Sequence, residues 1–117
     1  MEEKGNMLVT DYATAPHTLR PDGVEMTEFF APAPGPPGGG KVTMGFAVFP
    51  PGMEAPPAVH GADEYAYILA GEVKARVGDR VFAARAGAAT FIPAGEEHVS
   101  FNDSAAECRL LWMLVEK

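Results

Sequence analysis

Beyond residue 40, apolar and polar positions alternate with a period near two, the spacing of strands that turn one face toward a core. Val42, Met44, Phe46 and Val48 interleave with Thr43, Gly45, Ala47 and Phe49 until Pro50-Pro51-Gly52 stops the run. Val73–Val77 and Arg80–Ala84 flank Gly78-Asp79, a two-residue hairpin signal. Further strands are predicted over Thr90–Pro93, His98–Asn102 and Arg109–Val115. The stretch Asp63–Gly71 has helix-compatible composition and a closing glycine, yet the hairpins around it favour a strand. Short strands separated by turn residues predict an all-β, antiparallel sandwich or barrel.

The first 40 residues read differently. Met7–Thr10 and Val24–Phe30 are candidate peripheral strands, whereas Ala31-Pro-Ala-Pro-Gly-Pro-Pro-Gly-Gly-Gly40 excludes helix and central strand and predicts a connecting loop. The chain divides into this N-terminal segment, residues 1–40, and a strand-rich part, residues 41–117. With 117 residues and no internal repeat, the two parts make one domain around one core.

Composition narrows the function classes. A formal charge of −7, with 9 basic residues, opposes nucleic-acid binding, which needs a concentrated cationic face. No run approaches the length of a membrane helix, and Met-Glu-Glu-Lys-Gly-Asn lacks the basic and apolar regions of a signal peptide. The single cysteine, Cys108, excludes an internal disulfide and suits a reducing compartment, so the expected location is cytoplasmic.

The chemistry gathers in two places. The stretch Gly87-Ala-Ala-Thr-Phe-Ile-Pro93-Ala-Gly95-Glu-Glu-His98-Val-Ser-Phe-Asn102 predicts a strand, a tight turn at Pro93–Gly95, and a second strand. On that second strand His98, Ser100 and Asn102 share one face, Val99 and Phe101 the other. The two glycines and the proline alone recur by chance at roughly one starting point in several thousand. The spacing G-x5-P-x-G-x2-H-x3-N resembles the second motif of the cupin family at every fixed position. The first cupin motif, G-x5-H-x-H-x3-E-x6-G, is similar to Gly52 through Gly71, with Gly52, His60, Glu64 and Gly71 in register. Its first histidine is replaced by Ala58. The resemblance spans about residues 42 to 115 and implies a cupin-type antiparallel β-barrel or jelly roll.

It also implies a divalent metal (Fe, Mn, Ni or Zn) held by His60, Glu64 and His98. Positions 60 and 64 have the same strand parity and so face one way. Two imidazoles and one carboxylate form a facial set that leaves coordination positions open. Loss of the histidine at position 58 weakens this set, and the alternative is a metal-free pocket for an organic molecule, with Glu64 as a general base. Ala66, Ile68 and Ser100 share parity with the ligands and are expected to wall the pocket, joined by Phe46, Phe91 and Trp112 from neighbouring strands. Asp63 should face away, His17 should be a loop histidine without a role, and Cys108 should be a buried apolar residue.

Two function classes follow. One is a metal-dependent enzyme of dioxygenase, isomerase or lyase type acting on a small organic molecule. The other is a non-catalytic small-molecule-binding protein with a degenerate site. The resemblance adds a homodimer, and exposed strand edges give a physical reason for one.

Overall fold

The computed structural model describes residues 7–32 and 41–117. The proline-glycine stretch lies almost wholly outside them. Nine strands and no helix occur among the described residues: β1 (His17–Leu19), β2 (Glu25–Phe30), β3 (Val42–Phe49), β4 (Ala62–Ala70), β5 (Glu72–Val77), β6 (Arg80–Arg85), β7 (Ala89–Ile92), β8 (Val99–Phe101) and β9 (Cys108–Glu116). A six-stranded sheet runs in the order β1-β2-β3-β9-β4-β7, and a three-stranded sheet in the order β6-β5-β8. Every pairing is antiparallel. The fold is an all-β jelly roll. The ambiguous stretch after Ala62 is strand β4, held between β9 and β7.

One expectation shifts. Met7–Thr10 forms no strand, while His17–Leu19 does, pairing with β2 through Thr27, Met26 and Glu25. The second candidate does form a strand, β2, which with β1 makes one edge of the six-stranded sheet. Strand β2 pairs with β3 from Glu25↔Val48 to Phe30↔Met44, so it continues the main sheet.

Val24, Ala47, Met53, Ile68, Cys108 and Leu110 are the buried heart of the core. Ala47 and Leu110 are cross-strand partners, as are Ile68 and Leu110, so this inner face is built from alternate residues of three adjacent strands. Gly45 is opposite Trp112, and any Cβ there would collide with the indole and with the Thr27 carbonyl. The absent side chain is what lets the ring lie flat across β3. No helix of the described residues is long and apolar enough to cross a membrane.

Candidate metal centre

His60, Glu64 and His98 come from three different local settings. Glu64 is on β4, opposite Leu114 of β9 and Ile92 of β7, and these neighbours border the central cavity. His60 precedes β4 in a loop rather than extending the strand, and its carbonyl accepts the Gly95 N–H at 2.9 Å. His98 follows the Pro93–Gly95 turn, where Gly95 has φ of 85°, a conformation that favours glycine. The loop before one ligand is therefore tied directly to the turn before another.

Asp63 braces the same turn from the far side of β4. Its Oδ1 accepts the Ala94 N–H at 2.9 Å, and its Oδ2 meets Lys117 Nζ at 3.2 Å. The Ala94 N–H, followed by Lys117, holds the Asp63 carboxyl below its usual range. Asp63 faces away from the cluster.

The three side chains converge. Glu64 Oε1 is 3.2 Å from His60 Nε2 and 3.6 Å from His98 Nε2, and the two imidazole centroids are 5.5 Å apart. One ligand atom from each residue is within 4.8 Å of the others. His98 is 4% exposed, while His60 and Glu64 reach the cavity with side chains 36% and 22% exposed. His98 Nδ1 is 3.1 Å from the Glu96 carbonyl, which only accepts, so Nδ1 carries the proton. In the neutral ring this leaves the Nε2 lone pair aimed at Glu64 Oε1. Two acceptors facing each other need a proton or a cation between them, and the backbone carbonyl behind His98 is the usual means of orienting a ligating imidazole.

Ala58 stands beside them. Its N–H donates to the His98 carbonyl at 2.9 Å, and the His98 N–H returns the bond to Ala58 at 3.0 Å. Residues Gly52, Ala55 and Ala58 each donate to β8 or its ends, so this segment runs alongside β8 in an irregular pairing. A directly opposed pair projects to one face, which puts the methyl of Ala58 on the His98 side.

The cavity behind the cluster has a volume of about 580 Å³. Ala66, Ile68, Ser100 and Trp112 line it. Phe46 does not: it pairs with Leu111 on the outer face, with its ring 5.7 Å from that of Tyr12. Phe91 borders the cavity, but its ring packs against Tyr65 at 5.0 Å on the outer face. Phe46 is a correction to the sequence reading, whereas Phe91 borders the cavity as expected while turning its ring away, and one cause covers both. Strands β3 and β7 carry large apolar residues at either parity, so alternation does not say which face turns inward.

Residues that sequence reasoning passed over include Glu96, whose carbonyl orients His98, and Leu110 and Leu114, which share the parity of Trp112 and line the wall. That shared parity was the available signal. Asn102 is 1% exposed and is a brace rather than a ligand. Its Nδ2 donates to the carbonyls of Phe49 and Ala106, and its Oδ1 accepts from Ser104. His17 is in β1, between Thr27 Oγ1 at 2.8 Å and the Tyr12 carbonyl at 2.7 Å, away from the cluster. Cys108 is fully buried, and desolvation, with Glu72 adding to it, pushes its thiol up to about 11.

The Cupin domain family matches residues 45–114. No curated protein sequence matches the chain. A predicted oxalate decarboxylase from Thermotoga maritima superposes with a TM-score of 0.78 at 21% identity, covering 94% of this chain and 100% of that one. The polyketide cyclase RemF from Streptomyces resistomycificus gives 0.77 at 19% identity, over 96% of this chain and 81% of that one. An oxalate oxidase gives 0.73 at 27% identity, over 93% of this chain and 59% of the larger protein.

Proposed function

The chain belongs to the cupin family, and from that premise we propose that it is a metal-dependent enzyme acting on a small organic molecule, of dioxygenase, isomerase or lyase type. His60, Glu64 and His98 would hold a divalent ion, Fe, Mn, Ni or Zn. The observation that carries this reading is the convergence of their ligand atoms within 4.8 Å, with His98 Nε2 left free by the Nδ1 contact to Glu96. The donor set fits such an ion: one anionic oxygen and two imidazole nitrogens suit borderline divalent metals. A metal held there would supply Lewis acidity toward a bound molecule.

The chain's own residues do the rest. The Glu96 carbonyl keeps the proton on His98 Nδ1. The apolar wall around Ala66, Ile68 and Trp112 lowers the local dielectric, which strengthens charge interactions at Glu64. Ser100 adds a hydroxyl on the same face as His98. Relatives of similar fold bear the names of enzymes, a decarboxylase and a cyclase among them, which supports catalysis without choosing the reaction.

A second reading is a non-catalytic binding protein with a metal-free site. It draws on Ala58, which offers no ligand atom, and on the 3.2 Å approach of His60 Nε2 to Glu64 Oε1, a distance that a shared proton satisfies. In that state Glu64 is the one carboxylate at the centre of the cluster and the group placed to take a proton from a bound molecule.

Elemental analysis of protein purified without chelator separates the two. The enzyme reading expects near-stoichiometric metal, lost in His98→Gln and Glu64→Gln with the fold retained by circular dichroism. Metal-free wild-type protein, or metal content unchanged in both variants, overturns it.

The expected homodimer belongs here too. The outer face of β4, β7 and β9 presents Tyr65, Tyr67, Leu69, Phe91 and Met113, all exposed, whereas a sheet face meant for water carries polar residues. We assign this face to a second copy of the chain, because soluble oligomers are most often two-fold homodimers that bury the same patch on each copy. A cytoplasmic location accords with the single buried thiol.

A further inference from the structure

The same cavity constrains what it can accept. A volume of about 580 Å³ has room for roughly twenty water-sized groups, since a water occupies about 30 Å³ of liquid. A small dicarboxylate would occupy a minor fraction of that space. Away from the cluster the walls are apolar: Ala66, Ile68, Val73, Ala84, Leu110 and Trp112.

Charge points the same way. Among the described residues, the cations bordering the cavity are Arg20 and Lys74, and both are engaged. Arg20 pairs with Asp22, and Lys74 Nζ is 3.1 Å from Asp103. Two carboxylates, Glu64 and Glu96, border the same space. A dianion whose charge extended beyond the ligand cluster would lose its hydration there, find Arg20 and Lys74 already paired, and approach the Glu96 carboxylate. An apolar body would instead replace water against the partly exposed Ala66, Val73, Ala84 and Trp112, a favourable exchange.

We propose that the cavity takes a neutral or singly ionised, ring-bearing organic molecule with adjacent oxygens at one end, and discriminates against small dicarboxylates. The oxygen end is placed at His60, Glu64 and His98, which rests on the metal reading above. The ring body lies along Ala66, Val73, Ala84 and Trp112, which does not.

The test uses full-length protein, with 2,3-dihydroxynaphthalene, 2-naphthol and oxalate as probes in calorimetric titrations, before and after chelator treatment. Both naphthalenes should bind, the diol at least about tenfold more tightly than oxalate while metal is present. Chelator treatment should bring the diol level with 2-naphthol and leave 2-naphthol unchanged. Ala66→Leu and Ala84→Leu each fill the body of the cavity, and each should weaken both naphthalenes at least about tenfold with metal content intact.

Oxalate binding more tightly than either naphthalene overturns the inference, as does naphthalene binding that neither variant weakens. If metal is present and neither naphthalene binds at about 1 mM, the inference falls and the metal reading stands. If the protein carries no metal but 2-naphthol still binds and the filled variants lose it, the apolar-body assignment stands and the metal reading falls.

Discussion

Ala58 and His98 face each other across an antiparallel bridge, each amide donating to the other's carbonyl at 2.9 and 3.0 Å. The residue that departs from the family motif is therefore the backbone partner of the residue that satisfies it best. The departure removes a ligand atom without disturbing the scaffold that would have carried one.

This pairing predicts the effect of restoring the imidazole. Ala58→His places a third ring on the face that holds His98, next to a cavity with room for it. Metal retention on dialysis should rise by roughly tenfold or more, about 1.4 kcal/mol, with the midpoint of urea unfolding little changed. Metal content after stepwise dialysis, read by elemental analysis, checks it. Retention unchanged from wild type would mean that a ring at position 58 turns away from the cluster.

Asn102 should prove structural. Its amide holds the Phe49 and Ala106 carbonyls while Oδ1 takes both the N–H and the hydroxyl of Ser104. Asn102→Ala leaves those buried groups unmatched and should cost about 2–4 kcal/mol in urea unfolding. Metal content per folded molecule should not change. A large loss of metal with stability intact would instead make Asn102 part of the site.

Cys108 should be inert in the folded protein. With the thiol pushed up to about 11, the thiolate is scarce at neutral pH, and full burial denies access to reagents. Iodoacetamide at pH 8 should label it only after unfolding, as mass spectrometry will report. The sign of the pH effect follows from a folded value above the unfolded one. The protonated thiol stabilises the fold below an ordinary thiol's titration, and that contribution is lost as pH rises from about 9 toward about 11. Cys108→Ala should remove this alkaline component while introducing a small cavity cost.

The outer face offers a separate test. Tyr67 is 45% exposed at the centre of the apolar strip on β4. Tyr67→Lys should convert a dimer to a monomer in light scattering after size exclusion, with metal content unaffected. A wild-type protein that is monomeric throughout the micromolar range would refute the assignment of this face to a second copy.

Much of the fold was legible in the chain because its signals are local. The Gly78-Asp79 hairpin, the proline stops and the Pro93–Gly95 turn act within a few residues, and period-two alternation marks strands wherever they run. The resemblance added the register that relates His60 and Glu64 to His98. Within a strand, parity put Ala66 and Ile68 on the side of Glu64, and all three border the cavity.

What alternation leaves undetermined is which face of a doubly apolar strand turns inward. Phe46 and Ala47 are both apolar, and only the pairing of Gly45 with Trp112 shows that Ala47 faces the core and Phe46 faces Tyr12. Phe91 goes outward for a similar reason, since its partner across the ladder is the exposed Tyr65. The sequence by itself determined the strands, the turns and the types of chemistry available. Tertiary structure decided which residues meet: it set Ala58 against His98, gave Asn102 its bracing role, and shaped the apolar cavity behind the cluster. These depend on contacts between strands far apart in the chain, whose register no local pattern encodes.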